Sequence, residues 1–456
     1  MTTTLPTGTQ DNSWLHAHGG ALGGAWISGG DDLGLGIERH VSRYGIPADT
    51  SFIDMQQTKL SLRSGWALDA GPWQKLTVDG GWANYRHSEI DGGEVDSTFK
   101  DKEWDSRAEA VGGQWGVFSS TAIGVQLQQR DFSALGEGED YLLPTTTKNR
   151  AAFGFAEAPL AQALRLQFGA RVENVQIDGT SGDDVAHSLS FTPISGSVGL
   201  VYDVADPWRL GLALSSAARA PAQTELFAHG PHDGPATFET GDATLGMERA
   251  DSAELSLRWR GERVHADGSV WMTNFNNYIY GDLTGRHCDD AGNCAVDSDD
   301  DLKELFYRAH DARFRGAEGH AQIELLQQGS GHLHLDLLAD TVRAQLTGDA
   351  GNVPRIPPYH VGGGLSWQSP RFDAGVTVKY AGKQDDVANA ETDTRGFTNV
   401  DAQLAWRPML AHPEIEVALI GHNLTDSVQR NSVALNKDEV EMPGRDIRLM
   451  IRARFE

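Results

Sequence analysis

The chain has 456 residues, among them 52 glycines, 12 tryptophans and only 2 cysteines, with a formal net charge of −26 and a mean hydropathy of −0.40. So negative a balance argues against a nucleic-acid partner, whose phosphates need basic side chains. No run approaches the ~18 apolar residues of a membrane helix, and no basic, apolar secretion signal follows Met1, but strands that face lipid on one side hide their apolar residues by alternation.

In chain order, about nineteen strands are expected: 13–28, 33–43, 55–67, 74–88, 104–114, 119–133, 148–157, 163–177, 189–203, 207–217, 249–260, 263–281, 306–327, 331–345, 358–368, 371–383, 395–407, 414–424 and 445–455. Several alternate cleanly. Leu164, Leu166, Phe168, Ala170 and Val172 oppose Arg165, Gln167, Arg171 and Glu173. Leu333, Leu335 and Leu337 oppose His332, His334 and Asp336. At the C-terminus Ile447, Leu449, Ile451, Ala453 and Phe455 oppose Arg448, Arg452 and Arg454. A two-residue period marks a strand with two different faces. Many of these runs reach the ~9–11 residues that cross a bilayer.

Connections alternate in length. Tight ones lie near Gly29–Asp32, Ala70–Pro72, Gly116–Phe118, Pro159–Gln162, Ala205–Asp206, Gly261–Glu262, Gln328–Ser330, Ser369–Pro370 and Pro408–Pro413. Longer polar ones occupy 44–54, 89–103, 134–147, 178–188, 218–248, 282–305, 346–357, 384–394 and 425–444. That is the asymmetry of an outer-membrane barrel, with short turns on the periplasmic rim and long loops outside. Trp26, Trp66, Trp73, Trp115, Trp208, Trp259, Trp367 and Trp406 fall near short turns, as an interfacial girdle requires. The expected fold is all-β, an antiparallel transmembrane barrel. An odd number of strands does not close an antiparallel ring, so either the count is off by one or an odd number of strands is missing from the start of the chain.

The segment 421–455, GHNLTDSVQR to MPGRDIRLMIRARF, resembles the C-terminal signature of TonB-dependent outer-membrane receptors. Arg219, Ala220 and Pro221, ELF at 225–227, GPH at 230–232 and TFETGD at 237–242 resemble the mid-barrel loop of the zinc-uptake (ZnuD-like) branch. RYGIP at 43–47, YRHSEIDGGEV at 85–95 and AHDARFRGAEGHA at 309–321 are similar to that branch too. The resemblance implies a 22-stranded barrel with a plug in its lumen. It implies a Gram-negative outer-membrane location among lipid, the TonB energy-transducing system as partner, and uptake of a metal ion or metal chelate, zinc first. Against that pattern the chain is expected to be an N-terminally truncated receptor without its plug, residues 1–12 being the remnant of an extracellular loop and 13–456 the barrel.

Ligand capture is expected from the outer loops. Loop 218–248 offers His229, His232, Asp233, Glu239 and Asp242, and of these His229, His232, Glu239 and Asp242 suit zinc or another divalent transition metal. The plainer reading is a solvated loop with turn and capping residues. His87 and Glu89 share the lumen face of strand 74–88 near its outer end, where ordinary hydration is the plainer reading. Cys288 and Cys294 enclose five residues in another loop, and a disulfide is expected there rather than a metal pair. The neighbouring acidic run Asp297, Asp299, Asp300 and Asp301 reads as a solvated face. No G-x-S-x-G, P-loop or H-E-x-x-H occurs, and no enzyme activity or cofactor is expected. A siderophore or other organic-ligand receptor of the same fold, or a passive pore, are the alternatives.

Overall fold

Over residues 164–172 of strand Leu164–Thr180 the apolar positions point away from the ring, leaving Phe168 and Val172 on the outer surface, while Arg165 and Arg171 point inward. The computed structural model repeats this division around a closed barrel. It describes all residues except 1–3, 6, 7, 48, 297, 299, 410–413 and 454–456. Among the described residues, nineteen strands form the wall, from Leu15–Ser28 to Asp446–Ala453, each antiparallel to its predecessor. Four shorter strands, Ala186–Phe191, His229–His232, Thr237–Thr240 and Cys294–Ala295, add to the ring at its outer end. Apart from a two-residue ladder at Thr4–Leu5 and Gly8–Thr9, no described strand lies outside this ring.

The outward face is apolar where lipid meets it. Ile447, Leu449 and Ile451 are 61%, 70% and 72% exposed, so among the described residues no second sheet or helix layer covers them. In water so continuous an apolar surface would be unfavourable, whereas in a bilayer it is the required contact. Tryptophans collect at the rim of short turns, with Trp26 and Trp66 at 6.3 Å, Trp73 and Trp115 at 6.2 Å and Trp208 and Trp259 at 4.3 Å between ring centroids. Trp82 and Trp104, exposed and directly paired, mark the other boundary. Beyond them the outward positions turn polar, at Asn84, Arg86 and Lys102.

Two expectations are corrected. Segment 89–103 is not a long loop, because strands Trp73–Asp91 and Glu94–Gly112 run on past Trp82 and Trp104 to a tight turn at Gly92 and Gly93. Above the bilayer the outer face meets water and the inner face packs on the mouth, so the alternation that marks a strand fades from the sequence while its hydrogen bonds continue. Nor does the odd number of strands leave the wall open. The ring closes with Asp446–Ala453 beside Leu15–Ser28. Nineteen alternating strands begin and end in the same direction, so the first and last wall strands run parallel where the ring closes. The turn expected at Pro408–Pro413 and the terminal Arg454 and Phe455 lie partly or wholly outside the described residues.

Inside the outer mouth the lumen face is dry. Phe99, Val175 and Ile177 point inward and pack with Tyr141, Leu142, Leu226 and Phe227 into a buried cluster. The segment 218–248 therefore does not wave in solvent but straps across the mouth. Its base is clamped by Arg219, whose guanidinium donates to Glu225 (2.8 and 3.0 Å) and Glu248 (both 3.0 Å).

Candidate metal centre at the outer mouth

The strap forms a hairpin, His229–His232 against Thr237–Thr240, whose outer strand pairs in parallel with the projecting end of Leu302–Gln328. Alternation along it decides which side chains meet. His232 lies opposite Thr237, and Gly230 opposite Glu239, so His232, Thr237 and Glu239 share one face. Gly230 is required there, because a Cβ would strike the Asp140 carbonyl of the neighbouring helix Gly138–Tyr141. His229, three residues before His232, points to the opposite face.

Glu239 is buried and fully engaged. His232 Nδ1 and Thr237 Oγ1 donate to Oε1, each at 2.9 Å, while the Tyr307 and Tyr141 hydroxyls donate to Oε2 at 2.8 and 3.2 Å. Burial alone would raise its carboxyl, but the bonds from His232, Tyr307 and Thr237, with the His232 charge, hold it below the usual value. Tyr141 and Tyr307 are 98 and 68 residues away in sequence, and no local signal pointed to either.

The wall supplies a second pair. His87 and Glu89 sit above the Trp82 boundary, outside the bilayer, with Nε2 and Oε1 3.9 Å apart. The His87 ring stacks on Phe99 at 4.8 Å, and Tyr141 in turn lies 4.4 Å from the His232 ring. Phe99 and Tyr141 are edge-on at 6.5 Å, so four rings form an arch between wall and strap. His87 Nδ1 is buried without a hydrogen-bond partner among the described residues. Burial, then the nearby His232 charge, lowers its pKa to about 4. Burial first, then the Asp233 charge, pushes the Glu89 carboxyl up to about 7.

Thus His87 and Glu89 on the wall and His232 and Asp233 on the strap lie near enough for their charges to act on one another, with Glu239 bonded to His232. His229 and Asp242, expected in the same metal set, do not join them. His229 Nδ1 is bonded to the Phe227 carbonyl (2.9 Å), and Asp242 accepts from the Thr244 amide and hydroxyl at 2.8 and 2.6 Å, a turn-forming role. Cys288 and Cys294 are joined in a disulfide, which removes their sulfurs as ligands beside Glu304. Asp297 and Asp299 lie outside the described residues. The converging carboxylates and imidazoles suit a divalent transition cation. They stand as two neighbouring half-sites, one on the wall and one on the strap, because their ligand atoms are not gathered within 4.8 Å of one another.

A family model described as "TonB dependent receptor-like, beta-barrel" matches residues 4–424. Among solved structures, the copper transporter OprC superposes with a TM-score of 0.84 at 17% identity, covering 100% of this chain and 76% of that one. The FrpB iron transporter of Neisseria meningitidis (F5-1 variant, apoprotein form) gives 0.74 at 15%, covering 98% and 73%. The ferric-catecholate import receptor Fiu of E. coli K12 gives 0.74 at 11%, covering 100% and 76%. At these identities the likeness is one of fold.

Proposed function

Since the chain belongs to the TonB-dependent receptor family, outer-membrane transporters rather than enzymes of Gram-negative bacteria, we propose that it serves uptake of a divalent transition metal, with zinc as the first candidate. The observation that carries this reading is the placement of the His87–Glu89 pair on the wall beside the His232–Glu239 pair on the strap, near enough for their charges to interact. An ion held between them would draw the strap onto the wall. Zinc accepts such a nitrogen and oxygen set at about 2.0–2.2 Å, and two imidazoles with two carboxylates would complete a tetrahedral shell. Energised import would run through the TonB system, the family's partner.

The test is a zinc titration of the full chain in detergent, comparing it with His87→Ala and His232→Ala. Loss of one binding equivalent in both variants supports the reading, and unchanged binding in both sinks it. A metal chelate is the second reading, favoured by the aromatic arch His87–Phe99–Tyr141–His232, which offers an organic ligand flat surfaces. Binding of a ferric catecholate with no response to free zinc would select it.

A further inference from the structure

At the opposite end of the lumen lies a group of side chains that the outer site does not use. Strands Leu302–Gln328 and Gly331–Leu346 are joined by a short turn, which places their junction at the periplasmic rim. On the second strand Leu333, Leu335 and Leu337 face outward, so His332 and His334 face the lumen. Glu324 pairs directly with His334, and a bulge just after it shifts the register so that Leu326 pairs with Leu333. The extra residue sends both Leu325 and Leu326 outward, to 46% and 47% exposure, and keeps Glu324 aimed inward beside the two imidazoles.

We propose that Glu324, His332 and His334 form a second divalent-metal site, at the periplasmic mouth of the lumen. One ligand atom from each residue lies within 4.8 Å of those of the other two. His332 Nδ1 is 3.0 Å from Glu324 Oε2, and the two imidazoles are stacked nearly parallel, with centroids at 6.1 Å. Among the described residues His334 Nδ1 is buried with no hydrogen-bond partner, a lone pair or proton left unmatched. Around a tetrahedral ion with bonds of about 2.1 Å, ligand atoms sit roughly 3.4 Å apart. Closing from 4.8 Å asks for side-chain rotation of about 1 Å, not for movement of the sheet. Two nitrogens and one carboxylate leave a fourth position to water, the arrangement of an exchanging rather than a closed structural site. Further up the same lumen wall His320 faces Asp336 at 3.9 Å and His360 meets Asp340 at 2.8 Å. The rim cluster is thus the lowest step of a histidine–carboxylate series rising toward the mouth.

Cobalt(II) is the probe, because its visible absorption reports imidazole ligation directly. Full chain in detergent micelles is titrated beside His334→Ala, Glu324→Gln and His232→Ala. The isosteric Glu324→Gln keeps the fold if His334→Ala does not, and heat-modifiable migration on gels checks that each barrel is formed. The expected result is one cobalt equivalent weakened by about tenfold or more in His334→Ala and Glu324→Gln, and retained in His232→Ala. Unchanged cobalt affinity and stoichiometry in a folded Glu324→Gln or His334→Ala barrel overturns the rim site. Because the outer site is read through His232, its failure shows in a different variant.

Discussion

His232 and Glu239 meet across the strap's own hairpin, Nδ1 to Oε1 at 2.9 Å, and the same carboxylate receives hydroxyls from both sides of the mouth. Replacing it with Glu239→Ala strands Tyr141, Tyr307, Thr237 and His232 together. Each buried polar group left without a partner costs ~1–3 kcal/mol, enough to release the strap without unfolding the wall. Amide exchange should rise sharply over 229–245 and stay slow in strand Trp73–Asp91. Because the native pKa of Glu239 is lowered from 4.5, its contribution is present above about 4.5 and lost as pH falls through that lowered value.

Arg219 closes the strap's base by holding Glu225 and Glu248 at once. Its side chain is 41% exposed, so water screens part of the attraction, and Arg219→Met should cost ~1–3 kcal/mol rather than the full value of a buried network. Limited proteolysis would show it as new cleavage within 228–247, with the barrel core intact. Protection equal to that of the unaltered chain would refute the clamp.

Metal capture at the outer mouth should strengthen with pH. His87, with its pKa near 4, is neutral through the physiological range, whereas Glu89 is protonated below about 7. A cation must therefore displace a proton at pH 6 but not at pH 8, and zinc affinity should rise between them and then level off. Glu89→Gln should flatten that rise, and calorimetry in buffers of different ionisation enthalpy would count the proton. Without metal the two shifts oppose each other. Ionising Glu89 is unfavourable, so its contribution is greatest below about 4.5 and declines as pH rises through about 7. Protonating His87 is unfavourable, so its contribution is greatest above about 6.5 and declines as pH falls through about 4.

The lipid face is testable at one position. Leu449 is 70% exposed on the outer surface, and Leu449→Arg should lower folding free energy in phospholipid vesicles by ~2–4 kcal/mol if it lies near the midplane. Arg452→Leu, on the lumen face near Glu416, should change it far less. Denaturant titrations read both, and equal effects would contradict the assignment of faces.

The wall was legible in the sequence because the cause is local. A residue's face depends on its parity along the strand, and lipid outside with water inside writes that parity as alternation, strand after strand, which is why nineteen strands and the rim of tryptophans could be read from residues alone. His332 and His334 were legible as two histidines of one parity, but Glu324 was not, because it reaches them only through the bulge that separates Glu324 from Leu326. The outer site was not. His87 and Glu89 stand more than a hundred residues from His232 and Glu239, and only the closing of the ring, with the strap packed on Phe99, Val175 and Ile177, sets them side by side. The same folding separated His229 from His232, neighbours in sequence, since one falls on each face of a hairpin that carried too few residues to announce itself. Sequence fixes what alternates along a strand, whereas distances across the mouth depend on curvature and on long-range packing, which no single stretch of chain encodes.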